Sequence, residues 1–127
     1  MSGILLVDDV EVNRFLLEEA LAELGVEIRS AATGEEALAL WRRHAPEVAL
    51  VDLQMPGFDG AAVAREVKAD ASAPFTYVMI ISGFDKAEQV EAVRASGADR
   101  FLAKPYGIAD LRSAVEEGLR IARERRR

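Results

Sequence analysis

Three acidic residues and one lysine hold equivalent places in the chain, each directly after a short apolar run. Asp8 and Asp9 follow Ile4-Leu5-Leu6-Val7, Asp52 follows Val48-Ala49-Leu50-Val51, and Lys104 follows Phe101-Leu102-Ala103. If those runs are parallel strands of one sheet, three carboxylates and an ammonium meet at one edge. Neither solubility nor core packing requires such an arrangement. Carboxylates brought together resist joint ionisation unless a cation lies between them. With no sulfur or imidazole beside them, the acids form a hard oxygen donor set that suits Mg2+, or Mn2+ in its place, rather than zinc. Magnesium sites combine a few carboxylates with phosphate oxygens. A phosphoryl group is therefore the expected second occupant, with Lys104 as a point charge on one of its oxygens and the Ser82 hydroxyl as a donor to another. A carboxylate beside the metal can itself attack phosphorus. Asp52 is the candidate, being single, central and followed at once by a loop. Taken alone, an Asp after a strand is usually a turn or cap residue; the conjunction of strand ends carries the reading.

The elements that must position these groups are legible as an alternation. Residues 4–7, 26–31, 48–51, 76–81 and 101–103 read as strands, from continuous apolar runs or β-branched and aromatic enrichment. Residues 10–24 read as a first helix carrying Phe15, Leu16, Ala20, Leu21 and Leu24 on one face and stopping at Gly25. Thr33 with Glu36 forms a capping box for a second helix, which ends before Pro46; a third is expected over 60–69. Asp85 with Glu88 repeats the box for a fourth helix with Val90 and Val93 on its buried face, and residues 108–125 form the last, with Leu111, Val115, Leu119 and Ile121 inward. Between the third strand and third helix lies a turn-rich loop, Gln54-Met55-Pro56-Gly57-Phe58-Asp59-Gly60. Met79 reads as core and Phe58 as available to a partner. Strands alternating with helices imply an α/β fold: a five-stranded parallel sheet, doubly wound, with helices on both faces. Ligands of such sheets sit beyond the carboxyl ends of the strands, where the strand order reverses. Asp8, Asp9, Asp52, Ser82 and Lys104 all fall there.

Composition narrows the function classes. The chain has 127 residues, enough for one domain spanning 1–127, and half of them are hydrophobic. A net charge of −6 argues against direct nucleic-acid binding, which needs a basic surface. Five arginines among the last eight residues, Arg120, Arg123, Arg125, Arg126 and Arg127, are expected to serve the negative end of the last helix dipole rather than a nucleic acid or membrane. The lone histidine, His44, is expected at a helix end with no functional role. There is no cysteine, so disulfides and thiolate metal sites are excluded. No run approaches membrane-spanning length, and no room precedes the first strand for a signal peptide, so a cytoplasmic location is expected.

The motifs then carry a resemblance. Leu6-Val7-Asp8-Asp9, Asn13-Arg14, Val51-Asp52-Leu53-Gln54-Met55-Pro56-Gly57-Phe58-Asp59-Gly60, Ile81-Ser82-Gly83, Gly97-Ala98-Asp99 and Lys104-Pro105-Tyr106 resemble, in order along the whole chain, the receiver domain of two-component response regulators. The resemblance implies the strand order 2-1-3-4-5 and a stoichiometric phospho-acceptor rather than an enzyme. It implies that Asp52 receives a phosphoryl group from a phosphohistidine on a sensor histidine kinase or histidine phosphotransfer protein. It implies that Asp9 ligates Mg2+ directly, Asp8 largely through water, and the Gln54 carbonyl completes the set. Ser82 and Tyr106 are implied as a switch pair, the ring moving into space that the hydroxyl leaves, and Lys104–Pro105 as a cis bond. The readout would be a population shift of the fourth helix, fifth strand and fifth helix toward an unknown downstream protein, in a monomer or weak dimer. Gln54 and Phe84, two residues beyond Asp52 and Ser82, fall where phosphoryl lifetime is tuned. Serine at position 82 is a permitted alternative to threonine, and Gly83 stands where alanine is commoner.

Other classes fit less well. A metal-dependent phosphatase with an aspartyl-phosphate intermediate usually carries an acid two residues after its nucleophile, where this chain has Gln54. A flavin-binding electron carrier needs hydroxyls and glycine after the first strand; here that loop is Asp8-Asp9-Val10-Glu11, which repels phosphate without a metal. A receiver that has lost phosphorylation is opposed by the intact set Asp8, Asp9, Asp52, Ser82 and Lys104.

Overall fold

The computed structural model describes residues 3–53, 60–83 and 87–126, without the side chains of 87–90 and 92. The expectations for Gln54, Pro56, Gly57, Phe58, Phe84, Val90 and the Asp85–Glu88 box lie outside that set. The strands are β1 (Ile4–Val7), β2 (Ile28–Ala31), β3 (Val48–Asp52), β4 (Tyr77–Ser82) and β5 (Arg100–Ala103). The helices are α1 (Glu11–Leu21), α2 (Gly34–His44), α3 (Gly60–Ala69), α4 (Ala87–Ser96) and α5 (Ile108–Arg125). A short 3-10 turn, Ala22–Leu24, follows α1. Thr33 caps α2 as read: its hydroxyl accepts from the Glu36 N–H at 3.1 Å, and Glu36 reaches back to the Ala32 N–H at 2.8 Å.

All strands run parallel in the order β2-β1-β3-β4-β5, as the resemblance implies. Val7 lies opposite both Ala31 and Val51, Val51 opposite Ile80, and Ile80 opposite Phe101. The carboxyl ends are therefore level, and whatever follows each strand is delivered to one edge. Side-chain alternation divides the core into two layers. Leu5, Val7, Ala49, Val51, Val78 and Ile80 meet α2 and α3, whereas Ile4, Leu6, Val48, Leu50, Met79 and Ile81 meet α1 and α5. Gly118 lets α5 approach that second layer, because a Cβ there would lie 2.6 Å from the Tyr77 ring. Among the described residues no helix is long and apolar enough to cross a membrane.

The buried face of α1 differs from the expectation. Leu17, Ala20 and Leu21 are buried, while Phe15 and Leu16 are 56% and 57% exposed. Three consecutive apolar residues, Phe15-Leu16-Leu17, allow two helical faces by periodicity alone. The sheet selects the one that continues through Ala20, Leu21 and Leu24 at spacings of three and four.

The arginines at the chain end also do more than face a helix dipole. Arg123 donates to both oxygens of the buried Glu47 carboxylate, at 2.8 and 3.4 Å. Arg126 donates to three main-chain carbonyls: Phe75 at 2.8 Å, Ala45 at 2.9 Å and Pro46 at 2.9 Å. Pro46 O also accepts from the buried Thr76 hydroxyl, which in turn accepts from the Trp41 indole at 3.3 Å. This network fastens the end of α5 to the amino-terminal edge of the sheet, opposite the acids. Charge-assisted bonds to carbonyls that water cannot readily serve contribute about 1.5–3 kcal/mol each before strain and compensation. Arg126→Ala is therefore expected to lower stability by roughly 2–3 kcal/mol in urea unfolding, whereas Arg120→Ala, whose partners are exposed, should change it by less than about 1 kcal/mol. Equal effects would refute the clamp.

Candidate functional site

The strand ends deliver their acids by alternation. In β1, Ile4 and Leu6 face the α1/α5 layer, so Asp8 continues that face; in β3, Val48 and Leu50 do so, and Asp52 follows. Leu102 of β5 also packs on that layer, which directs Lys104 the same way. One carboxylate oxygen from each of Asp8, Asp9 and Asp52 lies within 4.8 Å of the others. Asp8 is 4% exposed, Asp52 half-buried and Asp9 exposed. A single hard divalent cation can bridge such a set, with rotation of the exposed Asp9 to close it.

Local backbone holds the acids in place. Asp8 Oδ1 accepts from the Val10 N–H at 2.9 Å, turning the chain into α1, and the Arg14 guanidinium donates to the Asp8 carbonyl at 2.7 Å. The Asp8 N–H donates to Ala31 O at 3.1 Å, tying the turn to β2. Beyond β3, the Leu53 N–H donates to Ile81 O at 3.1 Å and the Gly60 N–H to Leu53 O at 2.8 Å. A Cβ at Gly60 would sit 2.1 Å from the Asp52 carbonyl oxygen, so only glycine allows α3 to start against the Asp52 backbone.

A cavity of about 450 Å3 opens beside the acids, with Asp8, Asp52 and Lys104 at one end and Leu16, Leu17 and Leu111 along its walls. Lys104 is exposed, its N–H bonded to Ser82 O at 2.9 Å, and the Lys104–Pro105 bond is cis as the resemblance implies. The structure therefore brings Asp8, Asp9, Asp52 and Lys104 to one edge. His44 closes α2, away from them.

The expected pairing of Ser82 with Tyr106 does not fit this geometry. Ser82, 2% exposed, continues the face of Val78 and Ile80, toward α3. Tyr106 packs on the opposite layer and shares the cavity with Asp8 and Asp52. The sheet stands between them, so the ring cannot enter space left by the hydroxyl. Phe101 shares the face of Ser82 instead: it lies opposite Ile80, two residues before Ala103, which lies opposite Ser82. It is 40% exposed. Alternation along β5 is the signal in the sequence that places Phe101, and not Tyr106, on the face of Ser82.

Comparison with known proteins matches this arrangement. Residues 4–116 fit the family model of the response regulator receiver domain. The chain is a response regulator receiver domain. This receiver is 39% identical over 121 residues to the virulence sensor protein BvgS of Bordetella pertussis, covering 91% of this chain and 10% of BvgS. It is 35% identical over 114 residues to the transcriptional regulatory protein PdtaR of Mycobacterium tuberculosis, covering 89% of this chain and 54% of PdtaR. The receiver thus spans a tenth to about half of these relatives' lengths. Among solved structures, chemotaxis protein CheY4 of Vibrio cholerae superposes with a TM-score of 0.83 at 28% identity, covering 94% of this chain and 99% of that one. The receiver domain of a histidine kinase from Syntrophus aciditrophicus gives 0.88 at 27% identity, covering 94% and 91%. Receiver domains are phospho-acceptor signalling domains rather than enzymes of the ordinary kind, and they bind Mg2+ at an acidic cluster.

The acids leave a mark on Tyr106. Burial, and then the Asp8 and Asp52 carboxylates, raise its phenol above the ordinary value of 10.0. A phenol that keeps its proton longer in the folded state contributes stability in full below pH 10.0, and that contribution is lost as pH rises through the folded value. In alkaline ultraviolet titration read as the difference from Tyr106→Phe, Asp52→Asn should move the transition part-way down, burial holding the remainder. An unmoved transition in both Asp52→Asn and Asp8→Asn would refute the coupling.

Proposed function

We propose that Asp52 is the phosphoryl acceptor, receiving the group from a phosphohistidine on a sensor histidine kinase or histidine phosphotransfer protein. The observation that carries this is the meeting of Asp8, Asp9 and Asp52 within 4.8 Å at the edge that also receives Lys104. In the transfer, an Asp52 carboxylate oxygen forms a bond to phosphorus as the nitrogen–phosphorus bond breaks, its electron pair returning to the donor imidazole. Asp9 and Asp8, with the Gln54 carbonyl, would hold Mg2+, which supplies positive charge against the phosphoryl oxygens. Lys104 lines the same cavity as Asp52 and offers a second positive charge. Asp8, buried and bonded to the Val10 N–H, cannot swing away, so the cluster is preorganised.

Ser82, at the same edge but on the α3 side, can donate its hydroxyl to the phosphoryl group from across the strand end. Phe101 then takes the part first given to Tyr106, shifting on the surface of β5 and presenting the change to partners through α4, β5 and α5. Pro105, after a cis bond, follows Lys104 directly, Pro56 and Gly57 are assigned to the site by the family motif alone, and Gln54 and Phe84 set the lifetime of the acyl phosphate by controlling access of water. The whole chain, 1–127, acts as one receiver, in a cytoplasmic setting, alone or as part of a longer regulator such as those its relatives represent.

Incubation with acetyl phosphate and Mg2+ followed by intact mass should give one phosphoryl adduct, absent from Asp52→Ala and suppressed by chelator. No adduct from any donor would refute the assignment. Phe84→Ala should shorten the adduct's lifetime severalfold; an equal or longer lifetime would remove Phe84 from this role.

A further inference from the structure

Alternation along an extended chain sends consecutive residues to opposite faces, yet Asp8 and Asp9 each bring a carboxylate oxygen within 4.8 Å of one from Asp52. The chain therefore has to leave strand geometry between them, and it bends at Asp9. The peptide that joins the two acids is planar, so the direction of the Asp8 carbonyl sets the plane on which the Asp9 Cα lies. That carbonyl accepts from the half-buried Arg14 guanidinium at 2.7 Å. On the far side of Asp9, the Val10 N–H donates to Asp8 Oδ1 at 2.9 Å. Asp9 itself is exposed, and these two bonds hold the backbone that carries it.

We propose that Arg14 is a positioning residue for the divalent cation: its bond to the carbonyl of the Asp8–Asp9 peptide keeps the Asp9 carboxylate in the cluster, without touching the metal. The inference rests on reading the acids as a cation site. Starting α1 does not require the guanidinium. The main-chain N–H groups of Asn13 and Arg14 both donate to Val10 O at 3.1 Å, and a cation in a first helical turn opposes the helix dipole. Charge and geometry give opposite signs for its effect. A guanidinium beside the acids competes with an entering cation, so a purely electrostatic role means that its removal tightens Mg2+ binding. Loss of the held carbonyl frees Asp9 and weakens it.

The test uses the full chain and its variants Arg14→Met, Arg14→Lys, Asp9→Asn and Arg14→Met with Asp9→Asn. Mg2+ affinity is read by calorimetry, Mn2+ affinity by water-proton relaxation, and the metal-free backbone by the amide resonances and hydrogen exchange of Asp9 and Val10. Arg14→Met, which removes donor and charge but keeps an apolar stem, should weaken both cations about tenfold, as losing a group that orients a metal ligand does. Arg14→Lys, which keeps the charge and a donor, should fall between the unaltered chain and Arg14→Met. In the Asp9→Asn background, Arg14→Met should change affinity little, because the ligand it orients is already gone. Without metal, Arg14→Met should shift the Asp9 amide and speed its exchange. Unchanged or tighter cation binding in Arg14→Met, weaker binding in Arg14→Lys than in Arg14→Met, or the full loss repeated in Asp9→Asn would overturn the inference. If the unaltered chain binds neither cation, the cation-site reading falls, and the metal-free Asp9 amide alone decides whether Arg14 holds the peptide; an unmoved amide overturns that as well.

Discussion

Repulsion among three carboxylates is the constraint on which the rest of this structure depends. Two unit charges about 4 Å apart oppose each other by ~1 kcal/mol in water and ~4 kcal/mol at the effective dielectric of a protein surface. Asp8, Asp9 and Asp52 are gathered within that kind of distance by backbone, not by mutual attraction. The level carboxyl ends of β1 and β3, the Asp8–Val10 turn and the approach of Gly60 to the Asp52 carbonyl fix where the charges stand. The stability of the central strands thus holds a charge arrangement that would disperse in an unfolded chain. A positive charge placed among such carboxylates would oppose that repulsion, in keeping with the Mg2+ binding of receiver domains at their acidic cluster.

The two ends of the sheet divide the work. At the amino-terminal edge, Arg126 with three carbonyls and Arg123 with Glu47 anchor the last turns of α5 to buried backbone. At the carboxyl edge, Ile108 and Leu111 at the start of the same helix border the cavity beside the acids. The same helix is thus tied to backbone at one end and borders an open volume at the other. The base network also explains why polar groups as buried as Glu47 and Thr76 are tolerated, since each has a partner of matching charge or hydrogen-bonding sense.

The carboxyl edge itself has two sides with different character. Ser82 and Phe101 lie toward α3, while Asp8, Asp52, Lys104 and Tyr106 lie toward α1 and α5. Asp52 itself ends β3 at the rim between them. On the α1 side Tyr106 shares an apolar-walled cavity with Asp8 and Asp52 and feels their charge. On the other, a serine at the end of the most buried strand faces an aromatic on an edge strand, where movement disturbs little packing.

Much of this was legible in the sequence for a local reason: strand and helix periods, the Thr33–Glu36 box and the position of each acid after an apolar run are properties of neighbouring residues. Five strands, five helices and the meeting of Asp8, Asp9, Asp52 and Lys104 follow from those patterns together with the rule that parallel strands share a carboxyl edge. What tertiary structure alone decided was sidedness. Phe15-Leu16-Leu17 admits two buried faces until the sheet chooses one, and Ser82 and Tyr106 look adjacent as motifs until the sheet separates them. The terminal arginines read as helix-end charges until Glu47 and the carbonyls of Ala45, Pro46 and Phe75, far away in sequence, come within reach. Local spacing specifies which elements form and what they carry, but which face a side chain takes is set by packing against residues that the chain brings together only when it folds.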